Sequence, residues 1–269
     1  MALVKMISGT GKFRYKNLVT VFWTITFLLS GCSFPHYYYT PNIQSTPLFK
    51  GKYEFSGLVA GSFGTNACLE LQGGLAFPGH VALLTNFMTG GIDRSSSTYT
   101  DYMKINHFEG AVGYYNSYEN NFVFEIYGGY GGGSQDHAFS HTVYDSWHIP
   151  TVNSDGTAEI NYSKIFIQPD FGFRNKYFSA ALSCRVSRLY FTDITFDSEY
   201  RRSELYLIEQ NREQWFLEPA FTIKGGAESV KFMIQLGFAA NVTNPDMKYE
   251  KFRFCLGAGF NLGPKMEKK

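Results

Sequence analysis

The sequence predicts an all-β fold: a single antiparallel, up-and-down barrel of about ten strands, with eight as the alternative count, dimensioned to cross a membrane. Three observations predict it. Apolar and polar residues alternate with period two through most of the chain, the pattern of strands with one oily and one wet face. The 269 residues include 27 Gly, 19 Tyr and 26 Phe but only 17% charged residues, a composition of turns and half-buried strands. Short connections alternate with long ones, as in single-chain membrane barrels, whose short turns lie on the periplasmic side. A mean hydropathy of -0.18 is too polar for a bundle of membrane helices, yet it suits a wall in which only alternate residues meet lipid. The net charge of +1 provides no field that would steer the chain to nucleic acid.

Residues 1–31 read as an export signal. Lys5, Lys12, Arg14 and Lys16 form a positive leader, and residues 18–29 are an apolar run too short to span a membrane comfortably. The run ends in Leu29-Ser30-Gly31-Cys32, which resembles the bacterial lipobox. That resemblance implies a covalent lipid on Cys32. Because Ser33, not Asp, follows, it also implies delivery to the outer membrane. An ordinary secretory signal or a short membrane anchor is the alternative. Residues 32–51 then form a lipidated tether. Its Pro- and Tyr-rich part has no period, and its aromatics suit either the headgroup level of a membrane or a loop on the barrel mouth.

The barrel is expected over residues 52–263, with a tail over 264–269. Alternation starts with Tyr53, Phe55, Gly57 and Val59 against Lys52, Glu54 and Ser56. After a turn near Gly64, Leu69, Leu71 and Leu75 oppose Cys68, Glu70 and Gln72, and Pro78-Gly79 marks the next turn. Strands follow at 80–87, 104–115 and 122–130, with 90–101 and 131–159 expected as long loops. The clearest hairpin is 164–187. Ile165, Ile167, Phe171 and Phe173 oppose Lys164, Gln168, Asp170 and Arg174; after Asn175, Leu182 and Val186 oppose Ser183 and Arg185. Each of its strands is about eleven residues, enough to cross a bilayer when tilted. Residues 193–212 read as a charged loop, partly helical near 203–210. Strands at 215–224, 230–238 and 252–262 complete the set. Pro169 and Pro219 fall mid-strand in similar settings, FIQPDFGF and FLEPAFTI, and are expected to mark bulges.

The oily face is the larger and more aromatic one, so it is expected to meet lipid, while charged residues share the lumen. Both chain ends are then expected on the short-turn, periplasmic side. Glu70, Glu125, Asp170, Arg174, Arg185, Glu218 and Arg253 are expected as a lumen ion-pair network, with the constriction of a narrow pore as the alternative role. Small barrels of this size are mostly filled by side chains.

Over most of its length the chain resembles the small outer-membrane β-barrel lipoproteins of Gram-negative bacteria. The resemblance is carried by the lipobox, the YYYTP tether at 37–41 and the closing LGAGFNLG strand at 256–263. The usual carboxy-terminal aromatic is displaced inward, since NLGPKMEKK follows Phe260. The resemblance implies the lipid bilayer, the lipid on Cys32 and the barrel assembly machinery as partners, and carries over no catalytic residue and no cofactor.

Other candidates are weaker. His137, His141 and His148 share a stretch, but no carboxylate pattern completes a metal site, and solvated loop histidines are the alternative. Ser140, His141 and Asp145 are the one local set with a nucleophile and a base, without a G-x-S-x-G setting. Cys68, Cys184 and Cys255 lie on distant strands, beyond disulfide reach, and read as free thiols. The expected function is non-catalytic: a lipid-anchored outer-membrane barrel with a structural or surface-interaction role. The alternatives are a narrow solute pore and a soluble, lipocalin-like barrel tethered by Cys32.

Overall fold

The computed structural model describes residues 37–64, 66–95, 99–118, 121–144, 150–197 and 202–263. Ten strands form the wall. They are β1 (Phe55–Phe63), β2 (Ala67–Ala76), β3 (Val81–Ser95), β4 (Tyr99–Ser117), β5 (Phe122–Tyr144), β6 (Pro150–Arg174), β7 (Phe178–Phe196), β8 (Glu213–Gly226), β9 (Val230–Phe238) and β10 (Phe252–Leu262). Each pairs antiparallel with its neighbours in sequence, and β10 pairs with β1 to close the ring. A short helix α1 (Arg202–Gln210) lies between β7 and β8. The predicted barrel and strand number are those observed. Among the described residues no helix is long and apolar enough to cross a membrane.

The orientation of the wall follows the period-two pattern. Phe171, Leu182, Phe221 and Phe238 are exposed on the outside, Leu182 by 61%, while Arg185 and Glu218 point inward at 1% and 2%. The outward apolar rows run from Phe122 to Tyr130 on β5, from Ile165 to Phe173 on β6 and from Trp215 to Ile223 on β8. Roughly nine residues per strand is the span of a tilted membrane strand. Tyr53, Tyr118 and Tyr177 are exposed beyond one edge of this belt, and Tyr130, Tyr190 and Trp215 at the other, the girdle positions favoured by aromatics.

Three expectations are corrected. Residues 90–101 and 131–159 are not simply long loops, because β3 through β6 continue through them. β6 has 25 residues. At about 3.3 Å per residue and a tilt near 40° it rises roughly 60 Å, more than twice an apolar belt of about 25 Å. Above the belt Ser134 and Asp136 alternate with buried Gln135 and His137. Strand geometry persists there, and water replaces lipid outside; the polar, Gly-rich composition had suggested a loop.

Neither Pro169 nor Pro219 marks a bulge. On both sides of Pro169 the β6–β7 register is unchanged, Ile167 facing Val186 and Asp170 facing Ser183. Pro219 faces Cys184 in register. On its other side the ladder opens after Ala220 and resumes in the same register at Leu217, which pairs with Ala240, so the missing proline donor falls in a short gap of the pairing.

The stretch expected as a tether is inside the barrel. Residues 38–49 are all buried. Tyr38 N donates to Lys248 O at 2.9 Å, in the connection between β9 and β10. At the far end Ser117 donates to Lys50 O at 3.3 Å, beside the short β4–β5 turn. The chain therefore crosses the lumen from the long-connection end to the short-turn end before β1 begins.

Only the carboxy-terminal end of the described chain lies with the short turns, where Leu262 pairs with Phe55. The amino-terminal end of the described chain, at Tyr37, lies with the long connections; the chain ends themselves, both expected on the short-turn side, lie outside the described residues. Cys32, residues 1–31 and the tail over 264–269 lie outside the described residues.

Orientation of the wall is testable at Leu182, near the middle of the belt. Leu182→Arg is expected to destabilise the folded barrel by about 2–4 kcal/mol, the cost of a cation facing lipid at mid-depth. Urea unfolding in lipid vesicles measures this, and an unchanged midpoint would place Leu182 away from lipid.

Candidate functional site

The site is the lumen and the segment that fills it. Residues 37–49, YYYTPNIQSTPLF, contain no charged side chain. They offer a row of backbone and amide groups to a wall that carries the charges. Three tiers result, apolar at both ends and polar in the middle.

At the short-turn end Phe49 packs with Ala76, Ala82, Tyr115 and Tyr127, and Leu48 with Val123 and Ala181. Leu48 N and Phe49 N donate to the two oxygens of Glu125 at 3.1 and 2.6 Å. Leu48 has a positive φ of 54°, which turns both donors toward one carboxylate. Gly172 on β6 leaves room for this close approach: a Cβ there would come within 2.7 Å of Leu48 Cδ1. Arg174 donates to Leu48 O at 2.8 Å and pairs with Glu54. Lys224 donates to Thr46 O at 2.7 Å.

In the middle tier Asn42 sits among charges. Its amide donates to Glu109 Oε1 at 2.7 Å, while Lys164 and Arg185 donate to its Oδ1 at 2.7 and 3.0 Å. Glu109 also pairs directly with Lys164 at 2.7 Å and Arg185 at 3.0 Å. Gln168 accepts from Arg185 at 2.8 Å and donates to Ser45 O at 2.9 Å. The Arg185 guanidinium lies 4.4 Å from the centre of the Phe166 ring. Next along the segment, Ile43 N donates to Glu70 at 2.9 Å, and Ile43 O accepts from Asn86 at 2.9 Å and from Gln72 at 3.2 Å. Gln235 accepts from Gln44 N at 2.9 Å and donates to Gln44 O at 2.8 Å, a side-chain amide standing in for a neighbouring strand.

At the long-connection end Tyr39 packs 4.7 Å from Phe216 and 5.6 Å from Tyr162, ring centre to ring centre, and its hydroxyl donates to Glu218 at 2.7 Å. Tyr38 donates to Glu204 of α1 at 2.8 Å. Leu205 and Ile208, one face of α1, join Phe191, Met247 and Tyr249 in the same buried cluster. The helix thus caps the lumen.

The seven residues expected as one ion-pair network all line this interior, but no ion pair among the described residues joins two of them. Arg174, Arg185 and Arg253 pair with Glu54, Glu109 and Glu250. Glu70, Glu125 and Glu218 accept instead from the segment, and Asp170 from Gln168 at 3.0 Å. The correction has one cause: the threaded segment stands between the walls and takes the bonds that opposing charges would have shared. The expected network omitted Glu109 and Lys164, although both fall on the wet face, and the segment itself was missed. Its signal was an uncharged run rich in amides and tyrosines, unlike a solvated tether.

His137 is on β5, inward and buried. His141 lies on β5 too, but its side chain, like Asp145 and His148, is outside the description; Ser140 is exposed. Among the described residues no group of three metal-ligating side chains is present. Cys68, Cys184 and Cys255 are free thiols, and Cys68 and Cys255 both face Ser62 from opposite sides of β1.

No protein-family model and no curated protein sequence matches the chain. Solved barrels do. The KdgM porin is similar over 77% of this chain and 99% of its own, at 9% identity and a TM-score of 0.37. The outer membrane protease OmpT from Escherichia coli aligns over 77% and 95%, at 10% identity and 0.46. The translocator domain of the autotransporter NalP from Neisseria meningitidis aligns over 91% and 95%, at 5% identity and 0.46. Likeness at this level carries no argument about activity.

The middle tier is testable by substitution. Glu109→Gln removes the buried carboxylate that pairs directly with Lys164 and Arg185 and is expected to destabilise the barrel by about 3–5 kcal/mol. Adding Arg185→Met is expected to recover part of that loss, because contacting residues are not additive. Equilibrium urea unfolding of Glu109→Gln, Arg185→Met and the double variant measures both. Strict additivity would show that the pair does not act together.

Proposed function

We propose that this protein is a non-catalytic outer-membrane barrel, anchored by a lipid on Cys32, whose lumen is closed by its own amino-terminal segment. The single observation that carries the reading is the run of residues 38–49 through the lumen, all buried and bonded to all sides of the wall. Lumen polar groups that would line a water path are occupied by backbone: Glu125 by Leu48 and Phe49, Glu70 by Ile43, Gln235 by Gln44. Among the described residues, a cavity bounded by Asn42, Gln44, Glu218 and Gln235 is only about 20 Å³ and another beside Glu109, Gln168 and Arg185 about 10 Å³, each room for about one water at most. Such a lumen supports neither a solute path nor the hydrophobic ligand site of a soluble barrel.

What the molecule offers instead is its long-connection end. β3 to β7 stand above the belt there, α1 covers the top, and Tyr206 and Leu207 of α1 are exposed on its outer face. A structural or surface-interaction role fits this division, with the membrane part as a rigid base. The lipobox resemblance and the belt support the outer membrane as the site, with the barrel assembly machinery acting on the chain and the short turns facing the periplasm.

Two measurements test the reading. In planar bilayers the intact protein is expected to give no channel events across a range of salt concentrations, and removal of residues 38–49 is expected to give discrete steps. Sustained events from the intact protein would restore the narrow-pore reading, whether or not the shortened chain folds. Separately, incorporation of labelled fatty acid is expected to vanish in Cys32→Ala, while that variant still resists extraction by urea and carbonate. Release of the variant by urea would favour the soluble, tethered barrel.

A further inference from the structure

We propose that the amino-terminal segment runs into the barrel from the cell-surface side, so that the polypeptide upstream of Tyr37 is displayed outside the cell while the last strand ends at the periplasmic face. The inference rests on the outer-membrane reading above and on the direction of the segment, which is fixed at several points. Tyr38 bonds to Lys248 O and to Glu204, both in long connections. With its amide oriented to bond both, Gln135 donates to Tyr37 O at 2.8 Å and accepts from Thr40 N at 3.1 Å. Lys50 bonds to Asn121 in the short β4–β5 turn, and Tyr53 N donates to Ala76 O, where β2 ends before the short β2–β3 turn. Between these anchors the segment makes a single pass. Short turns face the periplasm in barrels of this kind, so the opposite end, at Tyr37, faces outward.

Heights show where an anchor would go. Gln135 is five residues beyond Tyr130, the last belt residue of β5. At about 3.3 Å per residue and a tilt near 40°, that is roughly 13 Å above the belt. Cys32 is five residues before Tyr37, so the connecting chain reaches at most about 18 Å. That exceeds the height of Gln135 above the belt, so the outer leaflet is the nearer one. The inner leaflet lies on the order of 30 Å further, beyond reach without withdrawing the segment. A lipid on Cys32 is therefore a surface anchor, and the chain must be threaded through the barrel before or as the β1–β10 seam closes.

The test places one epitope tag at a time in the full-length chain: between Ser33 and Phe34, between Gly263 and Pro264, and at residue 147 in the β5–β6 connection. Heat-modifiable migration confirms that each tagged barrel has folded. Antibody is expected to bind the Ser33 and residue-147 tags on intact cells, and the Gly263 tag only after permeabilisation. Cys32→Ala is expected to keep the same pattern, because lumen contacts and not the lipid set the direction. If the Ser33 tag becomes accessible only together with the Gly263 tag, in protein that still resists urea extraction, the threading direction is wrong and the outer-membrane reading stands. If urea releases the protein, the outer-membrane reading fails and takes this inference with it.

Discussion

A narrow barrel interior excludes bulk water, so each polar group that the wall turns inward has to find its partner there. That constraint organises the molecule. Inward strand positions carry Glu70, Glu109, Glu125, Asp170 and Glu218, together with Lys164, Arg185 and Arg253, all buried. Facing one another across an empty channel, these groups would need water. Facing a single extended segment, Glu70 and Glu125 meet its backbone donors, and Glu109, Lys164, Arg185 and Glu218 meet the side chains of Asn42 and Tyr39. The segment has the complementary problem, an extended backbone with no strand neighbour, and the same bonds solve it. Glu125 with Leu48 and Phe49, and Gln235 with Gln44, show both sides satisfied at once.

The wall was legible because lipid and lumen impose a period of two that survives in Phe171, Leu182 and Phe221 against Asp170, Ser183 and Glu218. The strand faces, the closing strand and the helix near 203–210 follow from that pattern and from turn residues. The upper strands were not legible. Above the belt, outward positions meet water, and Gly131 to Ser134 read as turn residues although they continue β5. The interior was legible in composition and not in pairing. Period two shows that Arg185 points inward, yet it cannot show that Glu109, three strands away, is its partner. The segment carries no period because it has no sheet neighbours; its contacts alternate among all walls, so no face repeats.

Pro169 and Pro219 show how a local rule yields to register. A mid-strand proline removes one ladder donor, and a bulge is one way to absorb the loss. Here both prolines lie at the level of Cys184 on β7, one on each neighbouring strand: Pro219 faces it directly, and Pro169 falls where the unbroken register between Val186 and Ser183 places it. A bulge at either would flip every later side chain to the other face of the wall, sending Asp170 after Pro169, or Thr222 after Pro219, into lipid. Losing one hydrogen bond costs about 1 kcal/mol, well below the cost of a carboxylate facing hydrocarbon. The register is therefore kept and the donor given up.

The bulk at the two ends of the segment decides whether it is a plug or a ligand. Tyr38 and Tyr39 at one end and Leu48 and Phe49 at the other are at most 2% exposed. Tyr38 and Tyr39 share one apolar cluster, Phe49 and Leu48 occupy two others, and between the ends lies a polar tier around Asn42. A segment with large groups on both sides of that tier cannot slide out either way without opening the wall. Above Tyr38, α1 adds Leu205 and Ile208 to the same cluster, and below Phe49 the Arg174–Glu54 pair lies across the exit. Such an element is not exchanged in the finished barrel; it is enclosed when β10 meets β1. The closed lumen is then a property of folding itself, since without the segment the inward charged groups would have only water to partner them.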